Sequence, residues 1–218
     1  MSRLAPTPAP ATTPGRDAAT AGIPAEADVA LGRSLLTLAR GAIGERFGRP
    51  APFVVEHAAH ARPAATFVTL VKAGELRGCI GSLEPHRALR QDVRENAQSA
   101  AFRDPRFPPL AARELESTTV EVSLLSAAEP FDVAGEDDLL ARLRPGVDGL
   151  ILALGSRRAT FLPQVWESLP DPADFVAHLK RKAGLPVDAW NGEIRCARYS
   201  VAKWSEDDAR SGGVEVRR

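Results

Sequence analysis

Hydrophobic positions along the 218 residues fall into two periods, one helical and one alternating. From Ala25 to Phe47 the spacing is helical: Leu31, Leu35, Leu38 and Ala42 form one stripe, Glu26 and Asp28 suit an N-terminal end, and Gly48 and Pro50 stop the run. Phe67 to Val71 is apolar and β-branched, Ala73-Gly74 marks a turn, and Glu75 to Leu83 returns, which predicts a hairpin. A helix is expected from His86 to Ala101, with Pro85 pre-setting its first turn and Leu89, Val93, Ala97 and Ala100 as its buried stripe.

Further along, Thr118 to Leu125 alternates as a strand, Val120, Val122 and Leu124 on one face and Glu121 and Ser123 on the other. A short acidic helix is expected within Phe131 to Arg144, burying Leu139, Leu140 and Leu143. Leu150 to Leu154 is continuously apolar, the pattern of a strand buried on both faces, and Gly155-Ser156-Arg157-Arg158 turns it into Ala159 to Leu162. Asp171 caps a helix from Ala173 to Ala183, which Gly184 and Pro186 end, and Ile194 to Trp204 is strand-like. Hairpins separated by amphipathic helices, without a βαβ rhythm, predict an α+β domain with a mainly antiparallel sheet flanked by helices.

Composition changes the picture at the ends. Residues 1–24 are rich in Ala, Pro and Thr and have little to bury, so a disordered leader is expected, and from Ser205 to residue 218 the chain reads as a flexible tail. Charge is balanced at 28 against 28 with no basic block, which removes the electrostatic footprint of non-specific nucleic-acid binding. Met1 to Pro6 lack the apolar core that a signal peptide needs, no run is long enough to span a bilayer, no phosphate-loop pattern appears, and Cys79 and Cys196 make neither a disulfide framework nor a metal pattern. A cytoplasmic, membrane-free protein is the expectation.

Candidate chemistry centres on Leu76-Arg77-Gly78-Cys79-Ile80-Gly81. Strand alternation puts Arg77, Cys79 and Gly81 on one face and Leu76, Gly78 and Ile80 on the other, so an arginine two residues before the thiol is a neighbour on the same side. Gly78 and Gly81, lacking Cβ, would let a ligand or backbone approach closely. The same pattern also suits a small buried hydrophobe with glycines that serve packing. Glu121 shares the face of Cys79 if the two strands belong to one sheet. In that arrangement Cys79 is a candidate nucleophile, Arg77 binds an anion, and Glu121 acts as base or orients the arginine. Arg106, presented from the proline-stiffened Asp104 to Leu110, would with Arg77 hold an anionic ligand or a partner's acidic residues. The predicted helix after Pro85 starts a few residues beyond the thiol, where an N-terminus close to the sulfur would help hold a thiolate or an anion. His86 and His178 are the histidines considered as partners for the cysteine. His57 and His60 have the i, i+3 spacing of metal ligands but no third ligand nearby, so a solvated loop or helix edge is expected and no metal is assigned.

Several stretches together resemble the AMMECR-type domain, called AmmeMemoRadiSam system protein A in prokaryotes. They are Leu76 to Gly81, Leu83-Glu84-Pro85, Asp104 to Leu110, Val120 to Ser123, Phe161 to Trp166 and Lys182 to Pro186, within residues 28–204. The resemblance implies an α+β fold with a larger lobe around a mixed or antiparallel sheet, a smaller lobe, and the signature cysteine near the cleft between them. It also implies a radical-SAM protein and a protein similar to extradiol dioxygenases as partners, and it leaves activity and cofactor open. Two functional readings follow: a cysteine-dependent enzyme or modification-system component acting at a cleft around Cys79, and a non-catalytic binding or accessory protein. Lys180 stands where many members of the resembled family carry cysteine, which counts against a mechanism needing two thiols.

Overall fold

The computed structural model describes residues 28–207. The expected leader, and the tail beyond 207, lie outside the described residues. Asp28 opens the fold: its carboxylate accepts the Leu31 N–H at 2.9 Å and caps helix α1 (Val29–Glu45), satisfying one of the amides that a helix start leaves unpaired. The stripe of α1 is buried as expected, but it also carries Ser34, whose hydroxyl donates to the Leu31 carbonyl at 2.7 Å. His60, buried in a short 3₁₀ turn (Ala58–Ala61), finds its partner there, with Nε2 at 2.8 Å from the Ser34 oxygen. The expected solvated edge is therefore corrected for His60; His57, half-buried, pairs with Asp28 at 2.9 Å.

Two antiparallel lobes follow. After β1 (Pro63–Ala64), the hairpin of β2 (Thr66–Lys72) and β3 (Glu75–Gly81) forms with Ala73 and Gly74 both at positive φ in its turn. Arg87 and Ala88, expected in the first turn of a helix, form β4 (Arg87–Ala88) against β1, and the Leu89 N–H goes to the Arg62 carbonyl at 2.8 Å. Helix α2 (Leu89–Phe102) therefore starts three residues late. Its Asp92 is fully buried and accepts hydrogen bonds from the Thr66 amide and hydroxyl, Asn96, Ser82 and Arg87. One carboxylate thus fastens the loop 82–87 to the start of β2.

The chain continues through β5 (Thr118–Leu125), β6 (Glu129–Pro130), α3 (Glu136–Arg142), β7 (Gly149–Leu154), β8 (Arg157–Phe161), α4 (Pro172–Lys182), β9 (Arg195–Tyr199) and β10 (Val201–Ser205). The first lobe is the sheet β10-β5-β2-β3 under α1 and α2, and the second is the sheet β6-β9-β7-β8 with α3 and α4. The strand-like run from Ile194 to Trp204 is split: β9 belongs to the second sheet and β10 to the first. Ser200 is the crossing point, bonded both ways to Ser126, where the chain crosses in the other direction.

Leu150 and Leu152 are buried in the second core, whereas Ile151 on the other face of β7 is only half-buried. The expectation of burial on both faces fails because the second core covers one side of that sheet while Ile151 on the other side lines the cavity between the lobes. Ala65, Leu125 and Tyr199, with Phe67, Ile151, Leu162 and Val201 packed around them, join the lobes. Ser205 ends β10, and Glu206 pairs with Arg40 and accepts the Val120 N–H at 2.9 Å. Among the described residues no helix is long and apolar enough to cross a membrane.

Candidate functional site

Cys79 lies on β3, the edge strand of the first sheet, opposite Thr69, which in turn is opposite Glu121 on β5. The three side chains form a row across three strands, with the Thr69 hydroxyl donating to the sulfur at 3.3 Å. Glu121 holds Lys203 of β10 at 2.7 Å. Arg77 does not join the row. Leu70 pairs with Gly78 while Val71 pairs with Leu76, so Arg77 is the extra residue of a bulge, which breaks the alternation that would have set it beside Cys79. Its guanidinium, mostly buried, reaches the Glu114 carboxylate at 3.2 and 3.1 Å and lies over the Phe107 ring. Glu114 is pulled down to about 2, first by the hydrogen bonds of Arg77, then by those of Lys72 and the Ala111 amide.

The open edge of β3 is covered by the proline-stiffened loop. Asp104 accepts the Cys79 N–H at 2.9 Å, and Arg106 grips Asp104 at 2.9 and 2.7 Å while donating to the Cys79 carbonyl at 3.2 Å. Arg106 thus serves as an edge clamp; its hydrogen bonds, with those of the backbone, hold the Asp104 carboxyl far below its ordinary range despite burial. The glycines admit the protein itself: a Cβ at Gly78 would collide with the Ala100 carbonyl of α2, and one at Gly81 with the Phe67 ring. Since Ala100 sits near the C-terminal end of α2, the pole facing this corner is the negative one, contrary to the expected helix N-terminus. His178 is exposed on α4 in the second lobe.

Lys180 is fully buried, its ammonium bound to both Glu136 oxygens at 2.7 Å and to the Val187 carbonyl at 2.8 Å. Burial pushes the Cys196 thiol up to about 11, opposed in part by the charge of Lys180. These two residues belong to the second core.

A cavity of about 870 Å³ opens between the lobes, and Cys79, Arg77 and Glu121 are not among the residues that line it. Its floor includes Ala64, Ala65, Leu125, Ile151 and Tyr199. Among the described residues its charged lining is Arg62, Arg158 and Lys182 against a single carboxylate, Glu84, with the His86 ring beside them. Glu84 reaches from the first lobe to pair with Arg158 of the second. Lys182 donates to the Thr160 carbonyl at 3.0 Å and lies over the Phe161 ring. The Tyr199 hydroxyl lies 2.9 Å from the Thr160 hydroxyl and 3.1 Å from the Phe161 carbonyl, and burial raises its pKa. Sequence reasoning missed this set because its members are scattered from residue 62 to 182; the doubled arginine, expected in a turn and found at the start of β8, was its one local signal.

The AMMECR1 family model matches residues 36–204. A protein of Methanothermobacter thermautotrophicus is 44% identical over 147 residues, covering 65% of this chain and 74% of that one. Protein MJ0810 of Methanocaldococcus jannaschii is 40% identical over 147 residues, covering 65% and 71%. The crystal structure of uncharacterized protein PH0010 from Pyrococcus horikoshii aligns with a TM-score of 0.66 at 30% identity, over 80% of this chain and 90% of that one.

Proposed function

The chain belongs to the AMMECR1 family, and we propose that within it this protein is a non-catalytic binding component that holds its ligand in the interlobe cleft. The observation that carries this reading is the division of charge: among the described residues the cleft gathers Arg62, Arg158 and Lys182 against Glu84 alone, on an apolar floor of small-molecule size. The corner around Cys79 lacks the parts of a nucleophilic site. Among the described residues no histidine is tied to the sulfur, Glu121 is engaged by Lys203, and Arg77 by Glu114. The proposed partner is a radical-SAM protein, with a dioxygenase-like protein beside it, and the proposed compartment is the cytoplasm. Native purification followed by mass spectrometry tests the role: co-elution with the radical-SAM protein that survives Cys79→Ala is the expected result. Turnover of a substrate by the isolated chain, abolished by Cys79→Ala, would overturn it.

The second reading, a cysteine-dependent enzyme, is favoured by the partial exposure of Cys79 in line with Thr69 and Glu121. It requires iodoacetamide to modify Cys79 much faster than a free thiol such as glutathione at the same pH. Modification no faster than glutathione counts against it.

A further inference from the structure

Resting on the reading of the cleft as a binding site, we infer that its ligand is an amphipathic anion: a small molecule with a carboxylate or phosphate head and an apolar body. The Arg62 guanidinium has no hydrogen-bond or ion-pair partner among the described residues, although it lines the cavity. On the opposite wall Arg158 is held, among the described residues, only by Glu84, a carboxylate about half exposed on the loop between β3 and β4. Glu84 is thus an internal stand-in for the head group: it shows that Arg158 accepts a carboxylate across the cleft, and a ligand anion must displace it. Lys182 adds a third cation to the lining, its remaining ammonium protons available while one is donated to Thr160. The same lining is apolar at Leu125, Ile151 and Ala65, and the volume of about 870 Å³ takes far more than a bare inorganic ion.

The lobes are linked at Ser126 and Ser200, and Ser126 itself lines the cavity, so head and body of such a ligand would bridge the two lobes beside their crossing point. Calorimetric titration of the full chain with octyl phosphate, octanoate and neutral octan-1-ol tests the inference. At least one anion is expected to bind about tenfold or more tightly than octanol, the scale of a charge-assisted hydrogen bond, and the better of the two identifies the head group. Arg62→Met and Arg158→Met should each remove most of that advantage, and Glu84→Gln should tighten the anion severalfold while leaving octanol unchanged. Circular dichroism confirms that each variant is folded. If octanol binds as tightly as both anions, or the arginine variants change nothing, the inference fails while the cleft remains a binding site. If no probe binds to the wild type or to Glu84→Gln, the binding reading itself fails.

Discussion

Around Cys79 four cations stand against three carboxylates: Arg77 and Lys72 on Glu114, Arg106 on Asp104, and Lys203 on Glu121. Along the cleft Arg62, Arg158 and Lys182 face, among the described residues, Glu84 alone. The first region uses its charges to hold a bulged edge strand, a rigid loop and a helix end together. The second leaves positive charge without an equal answer around a cavity of about 870 Å³. A motif of unusual residues and a site of unspent charge are therefore different things in this fold, and their separation follows from what each group touches.

The comparison breaks most visibly at Asp92, which anchors the cleft-lining loop to the first lobe. Asp92→Ala leaves five donors without their acceptor and should cost about 3–5 kcal/mol in urea denaturation, as removing one partner of a buried ionic network does. A loss below about 1 kcal/mol would show that the loop is held otherwise. Next in size is Gly78→Ala, which forces β3 away from the Ala100 carbonyl and should cost about 2–3 kcal/mol by the same measurement, with no dependence on any ligand.

Acid sharpens the contrast. Asp104 and Glu114 have folded pKa values below their ordinary 3.8 and 4.5. The stability they contribute is complete above those ordinary values and is lost as pH falls toward the folded ones. The urea midpoint should drop from about pH 4.5 down to about 2, and Glu114→Gln should flatten that drop. The smallest effect is expected from Cys79→Ser, under about 1 kcal/mol, because the sulfur is only partly buried and the hydroxyl can keep the Thr69 bond.

Most of the fold was legible from periodicity. The α1 and α2 stripes, the two hairpins, the Asp171 cap and the α+β class all follow from local pattern. What escaped was set by tertiary partners: the late start of α2 because Arg87 and Ala88 pair with β1, the burial of His60 by Ser34, and the switch of sheet at Ser200. Alternation alone misplaced Arg77, since a single bulge residue reverses the faces on one side of it. The thiol's row with Thr69 and Glu121 was within reach because it needs only that β3 and β5 share a sheet. The cleft was not, because Arg62, Glu84, Arg158 and Lys182 come together only when the second lobe folds back onto the first.

One titration separates the two regions most directly. The chain is alkylated at Cys79 with N-ethylmaleimide, a single adduct is verified by mass, and its affinity for octyl phosphate or octanoate, whichever binds the untreated protein better, is measured beside that of Arg158→Met. The account predicts that the alkylated protein keeps its affinity within about twofold while Arg158→Met loses about tenfold. Loss of binding on alkylation, with Arg158→Met unaffected, would contradict it and return the function to Cys79.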